Sequence, residues 1–310
     1  MKIPYLFCLL LIFTITNTFC QESDAPAKNL KIGLYFKSLS VSSHFDVNGD
    51  YQQGYIKSSA KPDTFIYEFN AKTIAFETSY SVNRNLTLNL NIPFTFYSLD
   101  EKRHVDTTYK YYDPTYKDSL NYHNVYYDVL LNTNKSRLDY FLTGAKYNLL
   151  NDNYNVALGL NIKIPTGSEQ PPISDSSNGF LGDEPFEFFA GTFLGYHSMK
   201  YMCGLNVTYN FRAGDFSDRL IFRLEGGLAT VPNSSLKLVA TYVKSLKTKE
   251  GAVYFHPRRL TRWEEYLETG LEFHFDFSKD YYIDFSYHLH LTGINTYHGG
   301  YYIVGVGIKL

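Results

Sequence analysis

Cysteine is nearly absent from this sequence, with three in 310 residues: Cys8, Cys20 and Cys203. The first two fall in a stretch with the form of an export leader: Lys2, an apolar run from Tyr5 to Ile15, the polar "TNT", and a cleavage site at "TFC|QES". Bulky Phe19 stands where lipidation of Cys20 needs a small residue, so simple cleavage is expected. With Cys203 left alone in the mature chain, a disulfide framework is excluded. Also missing is any run of about 18 apolar residues, the least a spanning helix requires. Helical periodicity is absent beyond the leader, and no Pro/Gly/Ser-rich linker marks a domain boundary. Basic excess is absent too. The 29 Lys and Arg stand against 31 Asp and Glu for a formal charge of −2, which lacks the footprint of a nucleic-acid partner.

What the chain has is aromatic side chains, 29 Tyr and 24 Phe against one Trp, and strict alternation. In "NLTLNLNIPFTFY", residues 85–97, Leu86, Leu88, Leu90, Ile92, Phe94 and Phe96 share one face, while Thr87, Asn89, Asn91, Pro93 and Thr95 share the other. An ordinary strand runs about 5–6 residues, and this one is about twice as long. A tilted strand that crosses a bilayer needs about 9–11 residues. Pro93, which cannot donate to a central ladder, is expected near this strand's outer end, where pairing yields to the loop. Comparable segments lie at 30–42, 66–82, 85–98, 138–150, 154–165, 186–197, 201–212, 219–231, 235–246, 263–277, 281–292 and 301–310.

The gaps between these segments alternate. Tight ones begin at 83, 151, 198, 232 and 278, and between them fall 43–65, 99–137, 166–185, 213–218, 247–262 and 293–300, most of them long. Short turns on one side and longer loops on the other are the habit of outer-membrane barrels. Lipid offers no hydrogen bonds, so a sheet inside it must close on itself. The expected fold is therefore all-β, a closed antiparallel up-and-down transmembrane β-barrel of about twelve strands in the bacterial outer membrane. Signal peptide 1–20, a short periplasmic segment 21–29 and barrel 30–310 complete the expected domain plan. Tyr80, Tyr97, Tyr147, Tyr201, Trp263, Phe277, Tyr281 and Tyr302, at strand ends, fit interfacial girdles. The final "GVGIKL", with Gly305, Ile308 and Leu310, has the form of a carboxyl-terminal strand presented to the barrel-assembly machinery, although the last position is more often aromatic. Loop 99–137 is long enough to fold over the mouth, and a lumen wider than that of an eight-stranded barrel predicts a narrow polar passage.

Charged residues recur on the polar parity. Lys163, Arg212, Arg219, Arg223, Glu225, Lys237, Glu268, Glu272, His274, Asp284, His288 and His290 are candidate lumen-lining residues that would set selectivity. His288 and His290, one strand from Glu268, Glu272 and His274, are of the types that hold transition metals. Mutual neutralisation of imidazole and carboxylate in a wet lumen accounts for them more simply, so neither metal nor cofactor is expected. "DVNGDYQQG", from Asp46, has the oxygen rhythm of a calcium loop, but Tyr51 stands where that loop needs glycine and Lys57 where it needs glutamate. A solvated turn is expected there.

From Asn83 to Gly167 the chain resembles the outer-membrane transporter family named for the MetA pathway of phenol degradation. "NRNLTLNLNIPFTF" and "LDYFLTGAKYNLLNDNYNVALGLNIKIPTG" carry the likeness, with Asp139, Gly144, Lys146 and Tyr147 in the family's places; Ser136, Arg137 and Leu138 replace its usual glycines. The likeness covers about a quarter of the chain. It implies a barrel that passes small, hydrophobic or aromatic compounds. A passive pore or transporter for small solutes, surrounded by outer-membrane lipid, is thus the expected function. The alternatives are a barrel whose loops serve adhesion or ligand binding, and a lipid-modifying barrel enzyme. The enzyme is disfavoured because no His-x-Ser pair occurs, Ser286-x-His288 having the reverse order.

Overall fold

The structure, a computed structural model, describes residues 30–46, 48–56, 64–111, 121–166, 185–214, 216–231, 233–246 and 263–310. The expected leader 1–20 and segment 21–29 lie outside the described residues. Twelve strands form the barrel: β1 Leu30–Val41, β2 Thr64–Ser81, β3 Leu86–Tyr111, β4, β5 Tyr154–Pro165, β6 Glu187–His197, β7 Tyr201–Arg212, β8 Arg219–Val231, β9 Ser234–Ser245, β10 Glu265–Asp276, β11 Tyr281–Ile294 and β12 Gly300–Lys309. Strand β4 runs as Asn121–Leu138 and, beyond a break at Asp139, as Tyr140–Asn151. Each strand pairs antiparallel with its neighbours in sequence. β1 pairs with β2 on one side and with β12 on the other, from Lys31↔Lys309 to Leu39↔Tyr301, so the sheet closes. No helix occurs among the described residues.

The alternation sorts two solvents. Leu34, Phe76, Leu88, Phe94, Phe96, Leu160, Leu224, Leu238 and Leu271 stand exposed on the outside of the barrel. Asn91, Thr95, Asn161, Asn206 and Thr241, on the other parity, are buried inside it. Tight turns sit at one end. Asn83 Oδ1 accepts from the amides of Asn85 and Leu86, both at 2.9 Å, and Ser278 Oγ accepts from those of Asp280 and Tyr281 at 3.2 and 3.1 Å. Such side chains substitute for the turn's missing backbone partners.

Three features depart from the sequence reading. Within segment 99–137, the described residues 99–111 and 121–137 are not an irregular loop, because β3 continues to Tyr111 and pairs residue by residue with Asn121–Leu138, from Phe94↔Leu138 to Tyr111↔Asn121. The 26 residues of β3 extend roughly 85 Å along the strand, against a hydrocarbon core about 30 Å thick, so this hairpin carries the wall far above the membrane. Pro93 lies in mid-strand, not at an outer end. There β4 carries one extra residue, since Asn91↔Leu142 below gives way to Phe94↔Leu138 above. The Asp139 amide bonds the Pro93 carbonyl at 3.0 Å, and proline's missing donor faces this bulge, where the ladder is already interrupted. Tyr97, expected in a girdle, shares the parity of Thr95 and points into the barrel; Tyr80, Tyr147, Tyr201, Phe277, Tyr281 and Tyr302 do stand outside.

Candidate functional site: the lumen

The interior is built in tiers by the inward parity of each strand. Near the long-loop end, Glu187 at the start of β6 is fully buried. It accepts from Lys163 Nζ (3.1 Å), Arg219 Nη2 (3.2 Å) and Asn210 Nδ2 (2.9 Å), on β5, β8 and β7. Arg219 is forked further, to Asn210 Oδ1 and to Glu264. Arg212 is buried at the same end and lies 4.7 Å over the ring of Phe216.

Deeper, Arg223 Nη2 meets Glu272 at 2.8 Å and Glu225 at 3.7 Å, and Lys237 lies 4.0 Å from Glu225. Glu268 takes His290 Nε2 at 3.1 Å, the Tyr301 hydroxyl at 3.0 Å and, at 3.4 Å, His288 Nδ1. His288 stacks on Tyr301 and occupies the space that Gly270 leaves by having no Cβ. Lys37 Nζ lies 3.6 Å from the centroid of the same Tyr301 ring. At the turn end, His274 bonds Asp284 (2.6 Å) and Asp276 (3.2 Å), Lys309 reaches Asp276 at 2.6 Å, and the Tyr35 hydroxyl donates to Asp284 at 2.9 Å.

Lys163, Arg212, Arg219, Arg223, Glu225, Lys237, Glu268, Glu272, His288 and His290 are buried on the inward parity, His274 and Asp284 are half-buried on it, and antiparallel register brings these side chains into three linked groups. The His288, His290 and Glu268 constellation forms as an ion and hydrogen-bond network, and no metal-holding group of His, Cys, Asp or Glu occurs among the described residues. Asp46 Oδ1 is taken by the amides of Asn48 and Asp50, at 2.8 and 3.0 Å, which makes "DVNGD" a self-bonded turn.

Sequence reasoning missed several inward groups. Lys37, Glu77, Glu187 and Glu264 have the right parity but begin or interrupt otherwise apolar segments. Asp139, at the bulge, is fully buried and accepts from Thr95 Oγ1 (2.6 Å), Tyr97 Oη (2.8 Å) and Arg137 Nε (3.1 Å). Missed above all was an apolar belt inside the barrel, where Leu39, Tyr67, Phe69, Tyr97, Tyr140, Phe189, Ile221, Val243, Tyr266 and Tyr301 form one contiguous cluster. At this level the inward side chains are apolar, where the strand pattern predicts a polar passage. Arg212, Arg219, Arg223, Tyr140, Tyr266 and Tyr301 are among the largest fully buried side chains. A cavity of about 50 Å³, lined on its inner side by Tyr35, Ser235, Lys237, Glu272, Asp284 and Ser286, lies toward the turn end. It has room for waters only.

No family model matches the chain, and no curated protein matches it. Among solved structures, the COG4313 outer membrane channel from Pseudomonas putida F1 superposes with a TM-score of 0.58 at 14% identity, over 92% of this chain and 96% of that one. The toluene transporter TodX from Pseudomonas putida follows at 0.43 and 7%, over 91% and 89%. The translocator domain of the autotransporter NalP from Neisseria meningitidis stands at 0.43 and 10%, over 93% and 90%. The first likeness shows a shared fold; the other two are too distant to carry an argument. A closed barrel of this fold with an apolar exterior is an outer-membrane protein of a bacterium.

Proposed function

We propose that the protein is an outer-membrane channel through which small solutes, apolar and aromatic ones among them, pass down their gradient. The observation that carries this reading is the aromatic belt standing inside the barrel between tiers of paired charges. Rings on the wall offer an apolar solute contact at this level, and the ion pairs hold the wall's shape while keeping both ends wet. Transport in this reading follows concentration. Lys163, Arg212, Arg219, Arg223, Glu225, Lys237, Glu268, Glu272, His274, Asp284, His288 and His290 are the selectivity residues of this reading. The form "GVGIKL" at β12, the strand that closes the barrel on β1, supports delivery by the barrel-assembly machinery.

Purified protein in liposomes should admit a small aromatic solute faster than a sugar of similar size, and planar bilayers should show discrete single-channel steps. Replacing Arg223 and Glu272 together by Gln should change the ion preference of those steps. Solute entry no faster than into empty liposomes would overturn the reading.

A second reading is favoured by the hairpin above the rim. In it the barrel is an anchor, and the sheet formed by Gly54–Ile56, β2, β3 and Asn121–Leu138, whose last strand is an edge, takes a ligand from outside. The lipid-modifying alternative gains no support from Ser286 and His288, which are buried on the lumen side, away from acyl chains.

A further inference from the structure

Between β11 and β12 the chain folds back over the mouth. Thr296–His298 pairs antiparallel with Ser43–Phe45, which follows β1, and Ser43–Phe45 pairs in turn with Tyr51–Gln52. The inner side of this small sheet belongs to the lumen's packing. Tyr297 is buried within the apolar belt, its ring 5.8 Å from that of Phe69. His44 is buried against Tyr67, the rings 6.1 Å apart and Nδ1 3.3 Å from the hydroxyl. Its ends are pinned through left-handed backbone at Asn295 (φ 51°) and Gly49 (φ 85°), and the Asn295 amide donates to the Asp46 carbonyl at 3.0 Å.

We propose that this sheet is a lid that closes the lumen from outside, with Tyr297 as its stopper, and that protonation of His44 and His298 opens it. The consequence for flux rests on the channel reading; the movement itself does not. The physical cause is desolvation. His44 is packed between Tyr67 and its strand partners Tyr297 and Gln52, with Asp46 the charged group that acts on it. Burial outweighs Asp46 and lowers its pKa to about 4. His298 has Ser43 Oγ 3.1 Å from Nδ1 and the edges of Phe45 and Tyr51 against its ring, at 5.2 and 4.9 Å. Burial, and then the nearby His290, lowers its pKa as well. The closed lid thus disfavours the protonated form of both imidazoles, whereas an open, hydrated imidazole titrates near 6.5.

The sign follows from proton binding. Above about pH 6.5 neither state takes a proton and closure is fully stable; as the pH falls, the open state binds protons that the closed state refuses. For His44 alone, with a closed-state pKa of about 4, the closed-to-open constant falls about 30-fold between pH 7.5 and pH 5. His298 adds to the same direction.

Two readouts on the full-length protein in bilayers separate the lid from the channel. Hydrogen exchange at the amides of residues 43–45 and 296–298, normalised to intrinsic rates, should lose about 30-fold in protection between pH 7.5 and 5. That step should vanish in the His44→Gln/His298→Gln double variant, while the amides of β7 and β8 keep their protection at both pH values. Conductance should rise over the same pH range, and Tyr297→Gly should conduct equally at both. Equal protection at the two pH values in a folded barrel overturns the lid, whatever the conductance. A protection step without any conductance keeps the lid and overturns the channel.

Discussion

At the scale of the residue, the lumen is held by charges that have no alternative solvent. Glu187 is the clearest instance, a fully buried carboxylate shared by Lys163, Arg219 and Asn210. Such a cluster adds little net stability as a whole, because desolvation of each ion opposes its Coulomb attraction. Removing one member is a different matter. In Glu187→Ala, Lys163 and Arg219 keep their burial and lose the carboxylate between them, which costs about 3–5 kcal/mol. The midpoint of urea unfolding in bilayers should fall accordingly, while Glu187→Gln, which still offers an acceptor, should fall less. Equal midpoints for all three proteins would mean that water already surrounds the cluster. Half of this group was legible in the sequence: Lys163 and Arg219 sit on clean alternating strands. Glu187 did not stand out, because it begins a strand and has one inward neighbour, Phe189, that is apolar.

At the scale of the element, the strands that cross lipid were legible nearly to their ends, since every second side chain must answer to a different solvent. β3 and β4 broke that rule above the rim. Beyond Ser98 both faces of the hairpin are outside the membrane, and the contrast that reveals period two disappears, so a regular ladder read as a loop. The same reasoning gives a test. Closure of the barrel depends on the rungs from Leu86↔Tyr147 up to Ser98↔Asn134, whereas the rungs above them join only the arm to itself and to the top of β2. Replacing residues 101–131 by Asn-Gly, between the paired Asp100 and Asn132, should give a two-residue turn at a register that already exists. The shortened protein should still migrate as a heat-modifiable folded barrel on electrophoresis. Its failure to fold would make the arm part of barrel assembly. The lid lay beyond sequence reading for another reason: its pairing joins Ser43 to His298 across almost the whole chain, and three-residue strands carry no local signal.

At the scale of the whole molecule, parity decides which way a side chain points but not what it meets there. The outward set was legible because lipid demands uniform oil. The inward set was not, since a lumen can hold water, ions or packed rings, and Phe69, Phe189, Ile221 and Val243 share their parity with arginines and glutamates. The reading therefore stands or falls on the outer face. Leu224, at the middle of β8, is 59% exposed and lies beside Leu205 and Ala240 on the neighbouring strands. If acyl chains cover it, Leu224→Arg should lower the stability of the barrel in bilayers by about 2–4 kcal/mol, the cost of a guanidinium near the midplane. The same substitution at Leu228, nearer the turn end of the strand, should cost less, because the penalty fades to about 0–1 kcal/mol at the interface. A soluble protein would tolerate arginine at both positions equally. A depth-dependent penalty is therefore the signature of lipid, and two variants unfolding together with the wild type would place this face in water and remove the barrel from the membrane.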